Sequence, residues 1–200
     1  MRRPDGFETP DMEPVMDMRL TRRSLALGAG AALLPVARAR AAARLGDDGL
    51  YVQDWYVESF LDVAEDEAAA QAKGKILALQ WSQRGCPLCT RLHTDYFADA
   101  AIEAYVREHF DVVHLDIYGS REVTDFDRET LSEKALAGRY AVRATPTFQF
   151  FAARDGKVAE VARMPGLLPK PEFLAMFRYV EAGAYESAGF EAWMAAQKAL

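Results

Sequence analysis

Cys86 and Cys89 are the only cysteines in the chain, and they stand in the stretch Gly85-Cys86-Pro87-Leu88-Cys89. Two intervening residues let such a pair close on itself, because a disulfide needs its Cα atoms within about 7 Å. The chemistry this spacing serves is thiol–disulfide exchange, in which a thiolate is the nucleophile. Amides at a helix N-terminus direct partial positive charge at the first sulfur and favour its thiolate form. Cys86 is therefore the expected attacking sulfur and the more exposed one, with Cys89, one turn in, as the resolving sulfur. Pro87 suits the first helical turn, where a missing N–H costs nothing. Arg84 beside the motif adds positive charge that would favour the Cys86 thiolate, against the plainer reading of a solvated arginine.

Two other uses of the pair compete. A static disulfide across so small a ring removes little chain entropy and is a poor staple. A four-sulfur zinc site is excluded because there is no second C-x-x-C. His93, four residues past Cys89 on the same helical face, keeps open a two-sulfur, one-nitrogen copper or zinc site, the alternative of a metallochaperone. In the exchange reading His93 flanks the site or caps local polar groups, and neither a cofactor nor a resident metal is called for.

The elements that must position the cysteines are legible around them. The apolar run Ile76 to Trp81 lacks polar alternation and reads as a strand buried on both faces, and Thr90 to Phe97 reads as a helix. Upstream, Leu45 to Tyr56 is a lead-in packed on the domain edge, and Asp62 to Ala72 is a helix ended by Gly74. Downstream, Asp99 caps a helix to His109, and Asp111 to Ile117 is a second strand, parallel to the first. The polar stretch Tyr118 to Thr130 reads as a surface excursion. Ser132 then caps a helix to Tyr140, with Leu136 and Tyr140 inward. Thr145-Pro146-Thr147 leads into a third strand, Phe148 to Phe151. Asp155-Gly156 signals a hairpin whose return strand is Lys157 to Arg163. Pro169 to Glu181 and Ser187 to Ala199 read as two closing helices, the first with Phe173, Met176, Phe177 and Val180 at core spacing. This is an α/β domain: a mixed central sheet flanked by helices, parallel first and antiparallel last, with extra N- and C-terminal helices.

The chain of 200 residues is half hydrophobic and carries a net charge of −6. It is long enough for one domain with a real core. The absence of a basic patch or phosphate-cradling glycine loop argues against nucleic acid and nucleotide partners. Residues 1–41 differ from the rest. Arg22-Arg23 precede a short, weakly apolar run, Leu27 to Leu34, and then small residues alternate through Ala37-Arg38-Ala39-Arg40-Ala41. That is the layout of an export signal of twin-arginine type, with residues 42–200 as the exported domain and a periplasmic location. Export puts the dithiol in an oxidising compartment, where it needs a dedicated donor or serves as an oxidant.

Taken together, these residues resemble the thioredoxin superfamily over essentially the whole exported segment. The matching features are the strand before Cys86, the C-x-x-C at a helix start, and Thr145-Pro146 opening the strand after the third helix. Within it, the chain is similar to the exported thioredoxin-like proteins of bacterial sulfur-oxidation clusters, the SoxW group. That likeness rests on Gly85 to Cys89, His93, Leu115 to Asp127, Leu131 to Lys134, Thr145 to Thr147 and Val161 to Gly166. The resemblance implies a thioredoxin-like fold and a cis Pro146 facing Cys86. It also implies that the Thr145 backbone pairs with an extended substrate segment. It further implies a monomer that exchanges disulfides with a protein substrate and takes electrons from a membrane thiol donor. The chain departs from ordinary thioredoxin in having Gly85 where tryptophan is usual, and Gln80 as the polar residue nearest to where the preceding strand usually carries a buried carboxylate.

Overall fold

The computed structural model describes residues 43–154 and 157–199. The expected export signal over residues 1–41 and the Asp155-Gly156 turn lie outside them. A two-residue antiparallel hairpin, β1 (Arg44–Leu45) and β2 (Tyr51–Val52), opens the described chain. Helix α1 (Val63–Ala72) starts at Asp62, whose carboxylate accepts the Glu65 N–H. It leads into β3 (Ile76–Ser82). Helix α2 (Pro87–Arg91) follows and runs on as a single π-helical turn, Leu92–Tyr96. Asp99 caps α3 (Ala100–His109), which leads directly into β4 (Phe110–Asp116).

The excursion expected over Tyr118 to Thr130 is more ordered than its polarity implies. It contains a hairpin of β5 (Glu122–Thr124) and β6 (Thr130–Ser132). The hydrophobic Val123 and the charged Asp125 are both buried there. Asp125, Asp127 and Glu129 all turn to Arg139, so these charges tie the hairpin to the helix that follows. Arg139 lies in α4 (Glu133–Arg139), which Ser132 caps by accepting the Ala135 N–H. The chain then forms β7 (Thr147–Arg154), β8 (Lys157–Pro165), α5 (Lys170–Glu181) and α6 (Phe190–Lys198). The last helix starts later than the expected Ser187, because a short 3-10 turn, Ala184–Glu186, comes first and Gly189 takes the cap position.

Four strands pair in the order β4-β3-β7-β8. β3 and β4 run parallel, with Gln80 beside His114, while β3–β7 and β7–β8 are antiparallel. Alternation along the strands sends side chains to two separate cores. Ala78, Val112, Phe148 and Phe150 face Leu92, Phe97, Phe173 and Phe177. Leu77, Leu79, Trp81, Val113, Leu115 and Phe151 face Val63, Ala70 and Leu136 on the other side. Burying each such large side chain contributes about 1.5–3 kcal/mol. β3, covered on both faces, is thus the rigid floor from which the cysteines are presented.

Candidate functional site

β3 ends at Ser82, and Gly85 turns the chain into α2 with φ +67. That left-handed conformation strains any residue with a Cβ, which gives a local reason for glycine directly before Cys86. Cys86 is the N-cap of α2: its sulfur accepts the Cys89 N–H at 3.0 Å. Pro87 occupies the first turn, as its missing N–H predicts. The two sulfurs are bonded as a disulfide, with Cα atoms 5.2 Å apart.

Thr145 reaches the same sulfur from the opposite side. Its hydroxyl donates to Cys86 Sγ at 3.3 Å, and its carbonyl oxygen lies 3.5 Å from that sulfur. The Thr145–Pro146 peptide is cis, and Pro146 is buried where β7 begins. The Pro146 carbonyl accepts the Gly166 N–H at 2.7 Å, which ties this corner to the end of β8. Sequence residues 59 apart therefore meet at one sulfur atom.

The expected difference in exposure between the cysteines is small. Cys86 retains 6% of its surface and Cys89 4%. A cavity of about 220 Å³ opens on both cysteines, and its far wall is Leu45, Gly49 and Tyr51 of the β1–β2 hairpin. The lead-in packs against the core through Leu50, Val52, Trp55 and Tyr56, and it is also a wall of the site. Leu45 and Leu88, 56% and 44% exposed, set apolar side chains beside the disulfide.

Among the described residues no hydrogen bond or ion pair joins Arg84 to either sulfur, and its aliphatic stem lies where a Cβ on Gly49 would meet it at 3.5 Å. His93 is also displaced from the role that spacing gave it. It sits on the π-helical turn, 1% exposed. Its Nδ1 lies 3.2 Å from Gln53 Nε2, and its ring stacks near Tyr51. Among the described residues no three His, Cys, Asp or Glu side chains are grouped to hold a metal ion. Burial, and then the nearby His114, lower the His93 pKa to about 3, so its ring is neutral near pH 7.

Sequence reasoning missed Gln53, Tyr56 and His114, which form with His93 and Gln80 a polar layer beneath the α2 helix. The available signal was register. Gln80 and His114 are polar residues at alternating positions of strands that otherwise read as apolar.

Comparison with known protein families matches residues 63–181 to the thioredoxin-like domain. The chain belongs to that family. Its mixed sheet with helices on both faces is the thioredoxin-like fold expected above. Among solved structures it is similar to a thioredoxin-fold protein from Helicobacter pylori, at 27% identity and TM-score 0.50, over 58% of this chain and 74% of that one. A thioredoxin from Thermus thermophilus aligns at 30% identity and TM-score 0.47, over 60% of this chain and 83% of that one. No curated protein sequence matches the chain. The matched segment begins at residue 63, so the β1–β2 wall lies outside it.

Proposed function

We propose that this protein is an exported thiol–disulfide oxidoreductase that reduces a disulfide of a partner protein. One observation carries the reading: a closed Cys86–Cys89 pair at a helix start, with Thr145 of the cis-proline corner touching the Cys86 sulfur. In the reduced protein the Cys89 N–H, the Thr145 hydroxyl and the helix amides would all stabilise negative charge on Cys86. The Cys86 thiolate attacks one sulfur of the partner disulfide, and the partner's other sulfur leaves as thiolate. Cys89 then attacks Cys86, closing the pair and releasing the second partner sulfur. Two electrons pass from the dithiol to the partner. Exposed Arg143 and Ala144, leading into half-buried Thr145, support an extended partner segment laid beside Cys86 as an added strand.

The paired arginines and short apolar run of residues 22–34 support export to the periplasm. There, reducing activity calls for a membrane thiol donor to reload the pair. The likeness of Leu115 to Asp127 to the SoxW group supports a substrate in sulfur oxidation, a carrier protein whose cysteine must be kept reduced. We further propose that the protein works as a monomer. The test is reduction of insulin disulfides by the purified chain with a dithiol as electron source. Turnover should be lost in Cys86→Ser, and Cys89→Ser should accumulate a mixed disulfide with a cysteine-bearing partner. Wild-type turnover no faster than the dithiol alone would sink the proposal.

A further inference from the structure

The face of β3 and β4 beneath α2 is apolar at Ala78 and Val112 but carries Gln80 and His114 side by side one step further along. Tyr56 and His93 pack over them, with ring centroids 5.8 Å (Tyr56–His93), 5.8 Å (Tyr56–His114) and 6.1 Å (His93–His114) apart. Gln80 Oε1, His93 Nε2, His114 Nε2 and the Tyr56 hydroxyl are all buried without a hydrogen-bond partner among the described residues. Each unpaired buried polar atom costs about 1–3 kcal/mol. Four such atoms in one cluster mark a place built for something small and polar.

Their donor and acceptor roles follow from their neighbours. Gln53 Nε2 lies 3.2 Å from His93 Nδ1 and 3.3 Å from the His93 carbonyl oxygen. A carbonyl only accepts, so the amide nitrogen is correctly placed there, Nδ1 accepts, and the His93 proton is on Nε2. Gln80 Nε2 donates to Ser82 Oγ at 2.9 Å and to the Trp81 carbonyl at 3.1 Å, which leaves Gln80 Oε1 as a free acceptor. An N–H, a C=O, an imidazole nitrogen and a hydroxyl, all buried in one packed layer, suit water, which makes 2–4 hydrogen bonds when buried. The cluster lies between two openings. On one side Ser82 lines the cysteine cavity, and His93 follows Cys89 by four residues, neighbours about 5–6 Å apart on a helix surface. On the other side Gln53, Tyr56 and His114 line a separate pocket of about 500 Å³.

We propose that the proton released by Cys89 leaves through His114, carried across the interior by water held between Gln80 Oε1, His93 Nε2–H and His114 Nε2. The proposal rests on the disulfide-exchange reading above. When Cys89 resolves a mixed disulfide, its S–H bond breaks and its sulfur bonds to Cys86. The Cys86–partner S–S bond breaks, and the partner sulfur leaves with that electron pair. The Cys89 proton passes to water and on to His114 Nε2, while His114 Nδ1 gives up its own proton to solvent in the outer pocket. The imidazole thus begins and ends neutral. That agrees with its surroundings: burial and the Arg121 guanidinium lower the His114 pKa to about 3. Arg121 Nη2 donates to the His114 carbonyl at 3.0 Å and is paired with Glu133, so the positive charge facing His114 is fixed. The other titratable groups facing it are His93 from the π-helical turn and Tyr56 from the lead-in, whose pKa values burial pushes down and up respectively. Gln53 is a positioning residue that sets the His93 tautomer.

The test is stopped-flow reaction of the fully reduced chain with an aromatic disulfide that releases a coloured thiolate at each of two steps. The first step reports attack by Cys86 and the second reports resolution by Cys89. In His114→Phe, near neutral pH, the second step should slow by about 100-fold, the low end of the range of general acid–base assistance, with the first unchanged. The difference should vanish in alkaline solution, where hydroxide removes the Cys89 proton directly. Gln53→Met should slow the second step with the same alkaline recovery, and it decides the matter if His114→Phe does not fold. A second step with wild-type rate and pH profile in the variant that decides overturns the relay. Absence of both steps in the wild type would instead overturn disulfide exchange itself.

Discussion

Thr145→Val removes one hydroxyl and keeps the branched shape at the cis-proline corner. The lost contact is the 3.3 Å hydrogen bond to Cys86 Sγ, leaving the Cys89 N–H at 3.0 Å as the other named donor. Hydrogen bonds to charged groups contribute about 1.5–3 kcal/mol, and a long one at a half-buried residue falls at the low end. About 1.4 kcal/mol corresponds to one pH unit, so the midpoint for alkylation of Cys86 in the reduced protein should rise by roughly one unit. Well below the midpoint the thiolate population then falls about tenfold. A more basic thiolate is also a better nucleophile, with a Brønsted coefficient of about 0.4–0.5, which returns roughly threefold. The variant should therefore be alkylated about threefold more slowly in mild acid and about threefold faster on the alkaline plateau, the two profiles crossing between. Iodoacetamide labelling across pH, with Cys89→Ala as the common background, measures both limbs. A uniform slowing at every pH would refute the reasoning, because it would mean that Thr145 shapes access and not charge.

Three further outcomes follow from the packing. Glu133, 1% exposed, accepts the Asp116 N–H, the Arg121 N–H and the Arg121 guanidinium. Glu133→Ala should lower stability by about 2–4 kcal/mol in denaturant titration, less than a sealed ion pair because Arg121 can hydrate. Phe177→Ala, which empties a fully buried ring contacting Phe110, Phe148, Phe150 and Phe173, should lower it by about 3–5 kcal/mol in the same titration. His93 and His114, with folded pKa values of about 3 against 6.5, stay neutral in the fold while the unfolded chain binds protons. Stability should therefore be full above roughly pH 6.5 and fall as pH drops toward 3, by up to about 1.4 kcal/mol per unit for each ring. A stability curve flat across that interval would contradict their buried neutrality.

The cysteine end of the site was legible because its logic is local. Strand, glycine turn, N-cap and first-turn proline occupy consecutive residues, and Asp62, Asp99 and Ser132 announce their helices in the same way. The paired apolar runs made the central strands readable, and Thr145-Pro146 pointed to the opposite wall of the site. What stayed hidden depends on residues far apart in sequence. The charges of 118–130 look like a solvated loop until Arg139, ten residues past Glu129, is seen to gather them. Gly119 carries no local signal of its role, which is that its lack of a Cβ lets the Glu133 carboxylate lie against it. His93 has metal-ligand spacing, but Gln53, forty residues earlier, turns the ring into the interior. Arg84 stands two residues before Cys86 in sequence, but only the structure shows its stem lying against Gly49 of the hairpin.

The β1–β2 hairpin has a practical corollary for anyone trimming the chain. A fragment cut to the matched residues 63–181 keeps both sulfurs, Thr145 and the cis proline, and loses Leu45, Gly49 and Tyr51. Such a fragment would retain the reactive pair but present it bare on one flank, and it would also lack Gln53 and Tyr56, which pack against His93. The stretch ahead of the shared domain thus carries both a wall of the cysteine cavity and part of the polar layer behind it.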